Sequence, residues 1–284
     1  MQRIILLLKE SLILLVLVGF GFKVKGEETH SEKALKNGQV IPFSIPESCH
    51  TQGMAIDENY IYLSCCDLLR KRGLIYRIKR DALEMRTSVS EIKYDRLELT
   101  IGAKYHPSGM DINGECLWVA LAEYHPAPAS STFICIDRSG FKEIHKKRFG
   151  LDDHIGAIAS TENWIVAFNW DARNFYIIDY SGKILTKGKN PDRIAYQDCK
   201  HNDDNSIICS GTSSSISLKG YVDTIEMRAR EPDGFRLKGR IITGRAEGKL
   251  IPLTREAMAL EGKKIYFLPT DFPELLIYRF DLMN

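Results

Sequence analysis

A short phrase recurs along the 284-residue chain, and its spacing restricts the fold more than any other feature. His50-Thr51-Gln52-Gly53-Met54-Ala55-Ile56 runs into Tyr60-Ile61-Tyr62-Leu63-Ser64, and His106-Pro107-Ser108-Gly109-Met110-Asp111-Ile112 runs into Leu117-Trp118-Val119-Ala120. Two further copies align: Asp153-His154-Ile155-Gly156-Ala157-Ile158 with Trp164-Ile165-Val166-Ala167, and Glu256-Ala257-Met258-Ala259-Leu260 with Ile265-Tyr266-Phe267-Leu268. Tyr196-Gln197-Asp198-Cys199 with Ser206-Ile207-Ile208-Cys209 is a fainter copy. The starts lie about 40 to 60 residues apart, the spacing of β-propeller blades.

Each copy reads as an apolar strand, a tight turn and a second strand rich in aromatic and β-branched residues. Third strands follow at Leu74–Ile78, Phe133–Asp137, Phe175–Asp179, Val222–Glu226 and Leu276–Phe280. More polar fourth strands follow at Ser90–Leu99, Phe141–Phe149, Lys183–Lys187 and Phe235–Ile242. The last repeat ends after its third strand, and Gln39–Ile45 is the segment available to complete it, which would close the ring without a free edge. The expected fold is therefore all-β, a single propeller of five blades closed by an N-terminal strand. Six blades remain an alternative if Thr212–Leu253 holds a degenerate repeat. Only Arg80–Arg86 resembles a helical turn.

Residues 1–26 read as a signal peptide or an uncleaved membrane anchor, 27–38 as a polar linker and 39–284 as the propeller domain. Leu12 to Phe22 is an uncharged, mostly apolar run. Its length suits a signal-peptide core of about 7–15 residues better than a spanning helix of about 20. The expected location is secreted or periplasmic, with membrane contact only through a retained N-terminal segment. All seven cysteines lie beyond that segment, where an oxidising compartment permits disulfides. Hairpin symmetry points to Cys116 with Cys135, Cys199 with Cys209, and Cys49 with the Cys65-Cys66 pair. The odd count leaves at least one thiol over. A net charge of +2 supplies no field for nucleic acid, so none is expected as a partner. A monomer is expected.

In a propeller the residues just ahead of the first strands converge around the axis at one face. This places His50, Gln52, His106, His154, Gln197, Asp198, Arg255 and Glu256 together. The glycines that follow, Gly53, Gly109 and Gly156, suit crowding near the axis. Asp67, Glu123, Asp171 and Asp271 occupy equivalent places at the ends of second strands and would rim the same cavity, with Trp170, Tyr124 and Phe272 as apolar walls. His50, His106, His154 and Glu256 are the catalytic candidates. Gln52, Asp67, Glu123, Trp170, Asp171, Gln197, Asp198, Arg255 and Asp271 are the binding candidates. His50 and His106 are the candidate ligands of a divalent metal, calcium or zinc. Taken singly, each polar residue could merely hydrogen-bond backbone or cap a turn; the functional reading rests on convergence.

The alternation of these phrases resembles extracytoplasmic β-propellers of the broad gluconolactonase-like, NHL-like and glutamine-cyclotransferase-like group. His106-Pro107-Ser108-Gly109-Met110-Asp111 and Trp118-Val119-Ala120-Leu121-Ala122-Glu123-Tyr124 are similar to phrases of an uncharacterised family of secreted propellers. The gluconolactonase-like members imply a channel cation held by Glu, Asn and Asp, whereas this chain carries His at several comparable places. Two functions are open. One is an exported binding propeller that takes a small molecule, glycan or protein on its loop-rich face. The other is a metal-assisted hydrolase or lyase, lactonase-like, working in the His/carboxylate funnel.

Overall fold

A computed structural model describes residues 35–45, 47–83, 92–124, 129–171, 173–190, 192–203, 205–213, 219–229 and 234–282. The N-terminal segment read as a signal lies outside them. So does His125-Pro126, the loop about which the sequence sets Cys116 and Cys135 symmetrically. β1 (Leu35–Ser44) precedes the first blade, which comprises β2 (His50–Ile56), β3 (Tyr60–Asp67), β4 (Arg72–Lys79) and β5 (Tyr94–Glu98). The second blade is β6 (Lys104–Asn113), β7 (Cys116–Glu123), β8 (Ser131–Asp137) and β9 (Lys142–Leu151). The third is β10 (Ile155–Ser160), β11 (Trp164–Asn169), β12 (Asn174–Asp179) and β13 (Ile184–Lys189). The fourth is β14 (Ala195–Asp203), β15 (Ser206–Thr212), β16 (Gly220–Met227) and β17 (Phe235–Thr243). The last holds β18 (Ala257–Glu261), β19 (Lys264–Leu268) and β20 (Glu274–Leu282), with β1 as its outer strand.

These are five four-stranded antiparallel sheets, so the molecule is a five-bladed propeller, and β1 pairs with β20 from Leu35↔Leu282 to Ser44↔Glu274. Thr212–Leu253 supplies β16, β17 and a bridge between Arg245 and Pro252, not a sixth blade. The closing strand starts at Leu35, ahead of Gln39, with a register shift where Asn37 takes a left-handed φ of 54°. The helical turn is the 3-10 segment Arg80–Leu83.

The local causes are plain in the sequence. Asp57 folds its side chain over the β2–β3 turn and accepts the N–H groups of Asn59 and Tyr60. A second device, unremarked in the repeat phrase, turns β8 into β9 and β12 into β13. Asp137 accepts from Ser139 and Gly140. Asp179 accepts from Ser181 and Lys183. Inner strands are buried on both faces and so read as continuous apolar runs; β9 and β17, at the outside, are exposed or half-buried along their length, Thr243 alone excepted.

Apolar side chains fill all five blade interfaces. Phe43, Tyr76, Tyr266 and Ile277 join the last blade to the first. Tyr62 and Met110 join the first to the second, and Trp118, Phe133 and Ile158 the second to the third. Phe168 and Tyr196 join the third to the fourth, and Val222, Met258 and Phe267 the fourth to the last. Met54, Met110 and Met258 are wholly buried, as expected of core residues.

Three disulfides brace the inner hairpins: Cys49–Cys65, Cys116–Cys135 and Cys199–Cys209. They fit an extracellular or periplasmic protein. Cys66 is the free thiol, buried and pushed up to about 12 by that burial beside the charge of Asp67. Among the described residues no helix is long and apolar enough to cross a membrane.

Candidate functional site

The axis is filled rather than open. β2, β6, β10, β14 and β18 touch in a closed ring, and β14 also reaches across it to β2 and β6. Asp198 on β14 is fully buried there and accepts backbone N–H groups from three other blades: Met54 at 3.0 Å, Met110 at 3.2 Å and Met258 at 3.1 Å. Lys200, on the same face of the same strand, donates to Asp198 at 2.5 Å and to the Met110 carbonyl at 2.6 Å. Asp111 similarly accepts from Ser160 and His201. Glycine makes the approach feasible: a Cβ on Gly109 would lie 2.5 Å from Asp198 Oδ1, and one on Gly53 would lie 2.7 Å from the Gly109 Cα.

Asp198 was expected at the mouth; it is instead the tie at the centre. β14 carries a register shift between Tyr196 and Asp198. Similar shifts open β2 between Thr51 and Gly53, β6 between Lys104 and His106, and β10 between Ile155 and Ala157. Lys200 escaped the sequence reading, although a Lys two residues after an Asp inside an inner strand is itself the signal.

Above this plug the mouth is blind and two-sided. On the side of the last and first blades, His50 Nδ1 donates to Asp271 Oδ1 at 2.8 Å. The same oxygen takes the Thr51 N–H at 2.9 Å, so the β19–β20 loop is pinned across the blade boundary. Burial alone would depress His50; its bond to Asp271 and the negative charges of Glu256 and Asp271 lift it above the ordinary value. Asp271 lies below its ordinary value because these contacts with His50 and Thr51 outweigh burial. Glu256 is buried and pushed up to about 7, chiefly by that burial and further by the charge of Asp271. Its neighbour Arg255 pairs with it through Nε at 3.0 Å while half of the Arg255 side chain stays exposed.

The second and third blades form an aromatic side. Tyr105 stacks on Tyr124, Tyr124 meets His106 edge-on at 5.3 Å, and Trp170 stacks over His154 at 5.7 Å. His106 Nδ1 and His154 Nε2 are 3.0 Å apart, one ring donating to the other. Burial depresses both, His106 to about 3 with help from the His154 and His50 charges, and His154 to about 4. The pair is therefore neutral near pH 7. His154 Nδ1 is buried without a partner among the described residues. Trp170 is 43 % exposed. Gly156 lets its backbone approach, since a Cβ there would lie 3.0 Å from the Trp170 Cα.

The expected ring of acids divides. Asp271 alone bridges two blades at the mouth. Asp67 is buried beneath Arg70 and Arg72, which hold it below its ordinary value. Glu123 accepts from Ser130, and Asp171 from Asn169 and Arg173. These three serve their own loops. Gln52 is buried beside the first strand, and Gln197 reaches only the Ala195 carbonyl. His50 and His106, the candidate metal ligands, turn their Nδ1 atoms to Asp271 and to His154. Among the described residues no group of three or more His, Cys, Asp or Glu is placed to hold a metal ion.

Among solved structures, the chain resembles the glutaminyl cyclase of Myxococcus xanthus, at 14% identity and a TM-score of 0.56, covering 87% of this chain and 97% of that one. A protein of unknown function from Bacteroides caccae matches at 10% identity and a TM-score of 0.49, covering 77% and 70%. The virginiamycin B lyase of Staphylococcus aureus matches at 11% and 0.42, covering 87% and 100%. At such identities the likeness is one of fold. No curated protein matches the sequence. The family model that fits residues 30–271 spans most of the chain, which therefore belongs to DUF6454, a family of unknown function.

Proposed function

We propose that this is an exported propeller whose blind mouth binds a small molecule. One observation carries the reading. Side chains from four blades, separated by more than two hundred residues of sequence, converge above the axial plug as an aromatic side facing an ionisable side. Such polar groups in an apolar cup are what ligand sites present. The test is a ligand-observed NMR screen of metabolites and saccharides on the full chain, repeated with Trp170→Ala and His50→Ala. Hits that vanish in both variants support the mouth. Hits that survive both place binding elsewhere and overturn the reading.

A second reading is favoured by the Asp271–His50 contact beside Glu256. Asp271 fixes the His50 tautomer, leaving Nε2 to accept a proton, while the buried Glu256 carboxyl is positioned to donate one. This is the constellation of a metal-independent hydrolase or lyase. It requires a substrate whose turnover falls at least about a hundredfold in His50→Ala and in Glu256→Gln. Turnover unchanged in either variant would sink it.

A further inference from the structure

The two sides of the mouth define a ligand with two ends. Trp170 is the large exposed aromatic of this face and stacks over His154, while His106 meets both His154 and Tyr124 edge-on. Burial keeps the two histidines neutral near pH 7, so these rings carry no charge. They offer a face to a ring and nothing to an ion.

The opposite side carries charge in a particular balance. His50 and Asp271 hydrogen-bond each other at 2.8 Å. Glu256 is 6 % exposed, too deep to meet a ligand broadside. Arg255 is the cation that solvent reaches, with 49% of its side chain exposed and only its Nε committed to Glu256. The remaining guanidinium edge is a planar donor pair matched to a carboxylate. Protonation of Glu256 would leave Arg255 without its paired carboxylate.

We propose that the mouth takes a flat-ring carboxylate, its ring stacked on Trp170 and its anion held by Arg255 with His50 alongside. This rests on the small-molecule reading above and narrows it to one ligand class.

The probes are 2-naphthoate and its neutral isostere 2-naphthamide, titrated calorimetrically into the full chain. Naphthoate should bind at least about tenfold tighter than the amide, the worth of one charge-assisted contact. Arg255→Gln should remove that preference and leave the amide unchanged. Trp170→Ala should weaken both probes by a similar factor. Added salt should weaken naphthoate selectively, which tests the charge without any variant. Equal affinities, or a preference that survives Arg255→Gln, would overturn the carboxylate clause while Trp170-dependent binding kept the broader reading. Binding of neither probe would overturn the whole inference; if the NMR screen then found other mouth ligands, small-molecule binding would stand without it.

Discussion

At the scale of single residues, Asp198 does the most. It ties three neighbouring inner strands through their backbone N–H groups and balances Lys200 in a site without solvent. Asp198→Ala leaves a buried ammonium and three donors unmatched. It should cost about 3–5 kcal/mol, whereas Asp198→Asn, which keeps an acceptor, should cost less. Urea unfolding decides; a loss under about 1 kcal/mol for the alanine variant would contradict the axial role. Glu256 gives a pH prediction with a definite sign. Its folded value of about 7 exceeds the ordinary 4.5, so burial penalises its ionised form. Stability from this group is full below pH 4.5 and lost as pH rises through 7. Glu256→Gln should therefore match wild type in melting temperature at acid pH and gain on it progressively up to that point, then level off. A constant offset across pH would contradict it. Repeat alignment exposed Glu256 as a candidate, but its acid–base character depends on burial and on His50 and Asp271, which only folding brings near.

At the scale of elements, the ring depends on a strand from the opposite end of the chain. β1 satisfies the edge of β20 and sets Phe43 in the interface between the last and first blades. Deleting residues through Ser44 should expose that edge and socket. The expected result is aggregation or loss of cooperative unfolding, read by light scattering and calorimetry; a monomer melting like wild type would refute the closure role. The disulfides act on hairpins: Cys199 and Cys209 are direct partners across β14 and β15. Replacing both by serine should cost about 2–4 kcal/mol. Strands and cysteine pairs were legible because they are local: an apolar run buried on both faces, a turn residue, and a hairpin that brings its own cysteines opposite. The start of β1 was less so, since Lys36 to Gly38 is exposed and polar and its side-chain tie, Asn37 to Asp281, lies at the far end of the chain.

At the scale of the molecule, the inner strands close on one another and Asp198 fills the axis. The amides of Met54, Met110 and Met258 donate to Asp198 there. They should exchange with deuterium only through global unfolding, among the slowest in the chain, as NMR or mass spectrometry would show. Fast exchange at these three would mean an open axis. The sequence by itself determined the repeat, a preference for five blades, the donor of the closing strand and the pairing of Cys116 with Cys135 and Cys199 with Cys209, because spacing, apolar continuity and hairpin symmetry are properties of neighbouring residues; the structure decided the blade count and that Cys65 rather than Cys66 meets Cys49. The tertiary structure decided which polar residues look into the mouth and which into the axis. Aligned positions in different blades are equivalent in sequence, but their side chains meet different partners once the blades close on one another. Asp198 became a strut and Asp67 a turn anchor, while His50 met Asp271 and Arg255 met Glu256 on one side and Trp170 met His154 on the other.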